Sequence, residues 1–256
     1  MHCTKFIVLG ALLALWASTG AGLAATAPST KDQYDLCLAR LSTDPAGALA
    51  QAGAWAKTGG GAPADHCAAL ALVGLRRYGE AATKLDSLAR SRFAATAEMR
   101  TALFDQSGNA WLLAGRPDSA IASFSAALAV DPLDADILSD RARAYAVKLS
   151  WAKAESDLTA ALLVSPERAD LYVLRGSARH ALGRKTDARV DFDRALKLQP
   201  RNPDALVERG ATKLESGDVA GARADWQSVV ASFPGSPAAE TARQYLTDSA
   251  ATQPVH

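Results

Sequence analysis

Two cysteines and one histidine near the N-terminal end of the chain are the residues best suited to do chemistry. His66 directly precedes Cys67, and Cys37 lies further upstream. In an exported protein such a cysteine pair predicts a disulfide, because thiols oxidise outside the cytosol. Two buried thiols are the alternative. A zinc site built on all three side chains is disfavoured, since adjacent residues seldom point at one ion and a fourth ligand is missing.

The other reactive residues form no catalytic pattern. After residue 27 the histidines are His66, His180 and His256, and the sequence has no HExxH motif, no G-x-S-x-G motif and no nucleophile near a plausible base. The glycines Gly59–Gly61 precede no Lys-Ser or Lys-Thr pair, so they do not predict a phosphate-binding loop. We therefore predict a protein with no enzymatic activity, no cofactor and no metal.

Arginine and aspartate recur at a fixed step of 34 residues in the C-terminal half of the chain. The arginines are Arg141, Arg175 and Arg209, the aspartates are Asp157, Asp191 and Asp225, and one step earlier both positions are serine, Ser107 and Ser123. Because a single buried charge is costly, we predict bidentate ion pairs between the two series. Two registers are possible. Each arginine could bind the aspartate of its own unit, leaving Arg243 spare, or the pairs could be Asp157–Arg175, Asp191–Arg209 and Asp225–Arg243.

The same step runs through four prolines and several columns of small or apolar residues, which together define a repeat. The prolines are Pro132, Pro166, Pro200 and Pro234. The columns are Gly108, Ala142, Gly176 and Gly210; Ala120, Ala154, Ala188 and Ala222; Phe124, Leu158, Phe192 and Trp226; and Ala127, Ala161, Ala195 and Val229. Within a unit, spacings of four and three place the last three columns on one face of a helix. A unit of this length is typical of a helix–turn–helix repeat, and the proline ends its second helix.

These columns resemble the tetratricopeptide repeat (TPR) family over about residues 101 to 236. The resemblance implies an all-α fold, a TPR-like right-handed superhelical solenoid of antiparallel helix pairs. Four positions depart from the family pattern: Ser107 replaces a large apolar residue, Leu149 replaces a turn glycine, and Val229 and Val230 replace the pair Ala-Leu. We expect four TPR repeats at 98–236, degenerate TPR-like helical repeats at 26–97, a capping helix at 237–249 and a flexible tail at 250–256.

In this family the first helix of each unit lines a concave surface, which usually binds a peptide or a helix of a partner protein. Carried over position by position, the candidate groove residues are Asp105, Asn109, Leu112, Asp136, Ser139, Arg143, Asp170, Val173, Ser177, His180, Asp204, Val207 and Leu214. Asn109 alone matches the carboxylate clamp of chaperone-binding members, so capture of a C-terminal carboxylate is not expected. Asp136, Asp170 and Asp204 recur at helix starts, where a negative charge stabilises the first turn through the helix dipole. An acidic ladder for a basic peptide is the alternative role.

The first 27 residues differ from the rest and predict export. Lys5 precedes the apolar stretch Phe6–Ala17, and the small residues Gly20–Ala27 follow. This pattern is typical of a secretory signal peptide, here assigned to residues 1–25, with an uncleaved signal anchor as the alternative. Without Lys5 the 28 basic side chains fall to 27 and equal the 27 acidic ones. A neutral chain lacks the basic surface that nucleic-acid binding requires.

The function predicted from the sequence is that of a non-enzymatic exported adaptor or scaffold. It would bind a protein or peptide partner through its groove, in an envelope or periplasmic complex of a Gram-negative-type bacterium. No nucleic acid is expected as a partner, and no stable membrane insertion after signal cleavage. An accessory protein of the envelope that associates with peptidoglycan or another polysaccharide is the alternative function.

Overall fold

The structure is a computed structural model of the chain, and it describes residues 29–251. These residues fold into thirteen α-helices and one π-helical turn, without a strand. The helices are α1 (Thr30–Arg40), α2 (Pro45–Trp55), α3 (Gly61–Gly74), α4 (Tyr78–Arg90), α5 (Ala97–Leu113), α6 (Pro117–Leu128), α7 (Ala135–Val147), α8 (Trp151–Val164), α9 (Ala169–Ala181), α10 (Lys185–Leu198), α11 (Pro203–Glu215), α12 (Val219–Ser232) and α13 (Pro237–Ala251). The π-helical turn, Ala56–Gly60, joins α2 to α3. None of these helices combines the length and apolar character needed to span a membrane.

Consecutive helices pack as antiparallel pairs, and the pairs stack into a right-handed TPR-like superhelix. α5 packs against α6, α7 against α8, α9 against α10, and α11 against α12. The first helices of successive pairs also touch, α5 with α7 and α9 with α11. The fold class predicted from the repeat is therefore confirmed.

Each clear pair is joined by a tight turn that requires one left-handed residue. Gly183 has a φ of 77°, and its N–H donates to His180 while the next N–H donates to a carbonyl one residue earlier in α9. Leu149 has a φ of 55° at the equivalent position and makes the matching bonds to the end of α7. This backbone conformation costs an L-residue about 1 kcal/mol. The leucine therefore strains its turn without changing the hydrogen bonding.

The arginines and aspartates of the two charged series pair within each unit. Two nitrogens of Arg175 donate to the two carboxylate oxygens of Asp191, at 3.0 and 2.7 Å. The equivalent bidentate pairs are Arg141–Asp157 and Arg209–Asp225. In the first unit Ser107 and Ser123 replace the charges, and their hydroxyls lie 3.4 Å apart. Arg243 stands outside the series and binds Glu240 and the carbonyl of Pro234.

Helices α1 to α4 precede the clear repeats and contain the disulfide. Cys37 of α1 is bonded to Cys67 of α3, and both residues are fully buried. The bond consumes both thiols, so the zinc-site and free-thiol alternatives are wrong. Around it lies a small core of alanines that includes Ala48, Ala52 and Ala71. Residues 1–28, with the predicted signal peptide, lie outside the described part of the chain.

Helix α13 covers the C-terminal end of the stack. Its residues Ala239 and Ala242 are fully buried, and the ring of Tyr245 stacks on Trp226 with centroids 5.0 Å apart. The helix ends at Ala251, two residues after the predicted end at residue 249. Of the predicted flexible tail, residues 252–256 lie outside the described residues.

Candidate protein-binding site

The predicted groove residues lie on α5, α7, α9 and α11, and they differ in accessibility. Asp136, Arg143 and Asp204 are exposed, whereas Ser139, Val173 and Val207 are buried. The remaining residues are partly buried: Asp105, Asn109, Leu112, Asp170, Ser177, His180 and Leu214. Val173 and Val207 belong to the C-terminal hydrophobic core. Ser139, Val173 and Val207 pack between helices, where a partner cannot reach their side chains. They are therefore removed from the candidate site.

At the N-terminal end of this surface a hydrogen-bonded acidic cluster joins α5 to α7. Asn109 donates through its side-chain nitrogen to Asp105 of its own helix and, at 3.0 Å, to Asp140 of α7. Arg143 donates to the other oxygen of Asp140. Burial, together with the negative charges of Asp140, Asp134 and Asp136, raises the pKa of Asp105 to about 6. The Asn109 amide is thus already engaged by two carboxylates of the protein itself.

A second charged cluster joins α9, α10 and α11 at the other end. His180 contacts Glu215 at 3.1 Å, and Lys185 pairs with the same carboxylate at 2.8 Å. Burial raises the pKa of Glu208, an effect that Asp204 increases and the nearby His180 opposes. Carboxylates are therefore concentrated at both ends of the surface formed by α5, α7, α9 and α11, which we call the inner surface.

Sequence reasoning missed Arg168, which connects two of the predicted groove residues. Arg168 is the residue preceding α9, and it forms ion pairs with Asp136 of α7 and with Asp170 of its own helix. The arginine has no counterpart in the neighbouring units, where the equivalent positions are Asp134 and Asn202. A repeat pattern therefore carries no signal for it.

Two clefts open on either side of α5, and the exposed residue Ala102 lines both. The acidic cleft, of about 520 Å³, lies towards α7 and contains the carboxylates of Glu98, Asp105, Asp131, Asp134 and Asp136. The apolar cleft, of about 550 Å³, lies towards α1 and α3 and is lined chiefly by Tyr34, Pro63, Phe93, Met99 and Leu103. Sequence reasoning named Asp105 and Asp136 of the acidic cleft. It missed the apolar cleft, because α1 to α4 match the repeat too weakly for positions to be carried over.

Within the described residues there is no cluster of three or more histidine, cysteine, aspartate or glutamate side chains that could hold a metal ion. The acidic cleft holds carboxylates, but several already serve the helix ends. Asp134 accepts from two backbone N–H groups as the cap of α7, and Asp131 accepts from the N–H of Leu133. Asp134 and Asp131 are therefore already engaged by backbone N–H groups.

The family model of the tetratricopeptide repeat matches the chain three times, at residues 106–150, 140–203 and 181–237. Together these matches span half of the chain. The chain belongs to the tetratricopeptide repeat family. TPR proteins are generally non-enzymatic modules that mediate protein–protein interaction.

Solved TPR structures resemble this TPR protein in fold. A thermophilic TPR protein of Thermus thermophilus, TTC0263, has a TM-score of 0.56 and 19% identity, with 74% of this chain and 99% of that chain covered. The MamA RS-1 double mutant has a TM-score of 0.59 and 18% identity, over 73% of this chain and 97% of that chain. The second TPR domain of human RPAP3, solved in complex with an HSP70 peptide, has 30% identity and a TM-score of 0.45, over 46% and 98%. No curated protein matches the chain.

Proposed function

We propose that this TPR protein is an exported adaptor that binds a protein partner along the inner surface of α5, α7, α9 and α11. Its site of action would be the cell envelope, in the periplasm of a Gram-negative-type bacterium. The family supports binding of a protein, and the signal-like segment at residues 1–25 supports export. The proposal assigns no catalytic role to any residue.

The observation that carries the proposal is the crowding of partly buried carboxylates on the inner surface. Burial raises the pKa of both Asp105 and Glu208, so each ionised carboxylate disfavours folding at neutral pH. Packing of the helix pairs does not require these charges, since the pairs are held by apolar columns and by separate arginine–aspartate bridges. Perturbed acids of this kind cluster at functional sites. A partner that supplies positive charge accounts for them.

The test is cross-linking of the protein in its own envelope fraction, followed by capture. We expect the Asp136→Lys, Asp204→Lys double variant to lose its cross-linked partner, because both carboxylates are exposed in the first turns of α7 and α11. Reversal of two charges at a binding surface weakens binding through electrostatic repulsion.

A matched control comes from the second helices, where Asp118 and Asp187 occupy the first turns of α6 and α10. Asp118→Lys with Asp187→Lys makes the same charge change within the first turn of a helix, with a similar loss of helix-dipole stabilisation. We expect this control to keep the partner. Equal capture by the two double variants would contradict binding at the inner surface.

Export has its own test. N-terminal sequencing of the protein recovered from the periplasmic fraction should give a first residue between Ala25 and Ala27, since the small residues there fit signal cleavage. Recovery of the chain from the cytosol with Met1 intact would refute export. Co-sedimentation with purified wall polymer in place of protein capture would instead favour the polysaccharide-binding alternative.

A further inference from the structure

The apolar cleft offers apolar surface, and three of its polar side chains are hydrogen-bonded to one another. The hydroxyl of Tyr34 is hydrogen-bonded to Nδ1 of His66, and Nε2 of His66 is hydrogen-bonded to Oε1 of Gln106 at 3.0 Å. These bonds link α1, α3 and α5 and use the hydrogen-bonding capacity of the imidazole. The rest of the wall includes Phe93 and Met99, and Met99 is 38% exposed. Such a cleft favours an apolar side chain over a polar one.

The acidic cleft indicates the charge that a second side chain of the ligand should carry. Of its five carboxylates, only Asp136 forms an ion pair within residues 29–251, and its partner is Arg168. A concave site lined by carboxylates attracts cations. Ala102 lines both clefts and so lies at their junction on α5. A ligand that spans Ala102 therefore meets apolar surface on one side and negative charge on the other.

We infer that the two clefts together bind an extended segment of a partner protein in which a cationic side chain stands near an apolar one. The apolar side chain enters the apolar cleft, and the cation lies over the acidic cleft. This inference rests on the proposed function, since it identifies the chemistry of the partner at one end of the inner surface. A helix is about 10 Å across, and an extended chain advances about 3.3 Å per residue. The two side chains should therefore stand about three residues apart.

The test measures binding of short fluorescent peptides to the purified, disulfide-bonded protein by fluorescence anisotropy. The probe contains one arginine and one phenylalanine separated by two serines, and it is made in both orders. In one control peptide glutamate replaces the arginine, and in the other serine replaces the phenylalanine. We expect one order of the probe to bind about tenfold or more tightly than either control, because each cleft holds one anchor.

Two lysine variants on the same helix locate the site. Ala102→Lys places a long cationic side chain at the junction of the clefts and should weaken binding of the probe about tenfold or more. Leu113→Lys adds the same charge at an exposed position of α5 outside both clefts and should leave binding unchanged. Both positions are exposed, so the two variants should melt at the same temperature.

The apolar half has a separate variant, Met99→Ser. It should weaken binding of the probe but not of the control peptide that lacks phenylalanine. Absence of probe binding, equal binding of probe and controls, or an equal effect of the two lysine variants would overturn the inference. If any one of these results is found while the Asp136→Lys, Asp204→Lys double variant (the inner-surface variant) still loses its cross-linked partner, the cleft assignment fails and the adaptor function stands. If the probe binds but the inner-surface variant keeps its cross-linked partner, the proposal that the partner binds along the inner surface is wrong.

Discussion

At the residue scale, the size of one side chain sets the size of its partner across each helix pair. A Cβ added to Gly176 would lie 2.5 Å from the ring of Phe192, too close for any real contact. Glycine faces an aromatic ring in three units, and alanine faces leucine in the fourth: Gly108 with Phe124, Gly176 with Phe192, Gly210 with Trp226, and Ala142 with Leu158. Two columns of the repeat therefore vary together because they share one volume.

Gly176→Ala should destabilise the protein by about 1 to 3 kcal/mol, since the added methyl overpacks the contact with Phe192. Phe192→Leu should cost less in the Gly176→Ala background than alone, because the smaller side chain makes room for the methyl. Urea unfolding of the two single variants and the double variant measures this coupling.

Gly53→Ala is the matched control for that prediction. Gly53 lies within α2, and nothing is within 4 Å of an added Cβ. Alanine there should stabilise the protein by about 0.5 to 1 kcal/mol through helix propensity alone. Stabilisation by Gly176→Ala of the same size would show that the ring does not restrict that position.

At the scale of elements, the arginine–aspartate pairs hold the first helix of a unit against the second, but the three aspartates differ in their surroundings. Within the described residues, Asp157 has Arg141 as its single cationic partner. Asp191 binds Arg179 as well as Arg175, and Asp225 has the same two-cation arrangement with Arg209 and Lys213. Removal of one arginine should therefore lower the free energy of unfolding more where the aspartate has one cationic partner than where it has two.

Arg141→Ala should destabilise the protein by about 3 kcal/mol, because it leaves the buried carboxylate of Asp157 without a cation. Arg175→Ala should cost clearly less, since Arg179 stays 2.8 Å from Asp191. Chemical denaturation of both variants gives the comparison. Equal losses would mean that the bridges contribute through packing of the arginine stem and not through charge.

At the scale of the whole molecule, stability is distributed along the stack. The buried apolar residues form three clusters: a small one in α1 to α3 around the disulfide, one from α3 to α9, and one from α9 to α13. In such a solenoid each repeat is stabilised mainly by its neighbours. A local defect should therefore unfold one end without unfolding the rest.

The variant Cys37→Ser with Cys67→Ser tests this distribution. Loss of a bond that closes a separation of 30 residues should cost about 3 to 4 kcal/mol. The loss should fall on α1 and α2, whose core consists mainly of alanine. Hydrogen exchange should show reduced protection there and unchanged protection in α7 to α12. Loss of protection throughout the stack would show instead that the molecule unfolds as one unit.

The sequence predicted local features well and their mutual arrangement poorly. The helices of the clear repeats followed from spacings of three and four residues, which are properties of a single helix. Ser139, Val173 and Val207 were assigned to the groove, yet they are buried. A helix pattern states that two residues share a face, but only the packing of the neighbouring pair decides whether that face is open.

What the sequence by itself determined is the repeat: its length, the helix pairs, the turn positions and the cysteines available to bond. What only the tertiary structure decided is which groups meet across helices. Arg175 lies 16 positions from Asp191 in one register and 18 from Asp157 (175 − 157) in the other, so distance along the chain could not choose between them. The apolar cleft beside Ala102 likewise joins residues from α1, α3 and α5. Such contacts arise when the pairs stack, because the angle and rotation between packed helices depend on the whole interface and not on any one repeat.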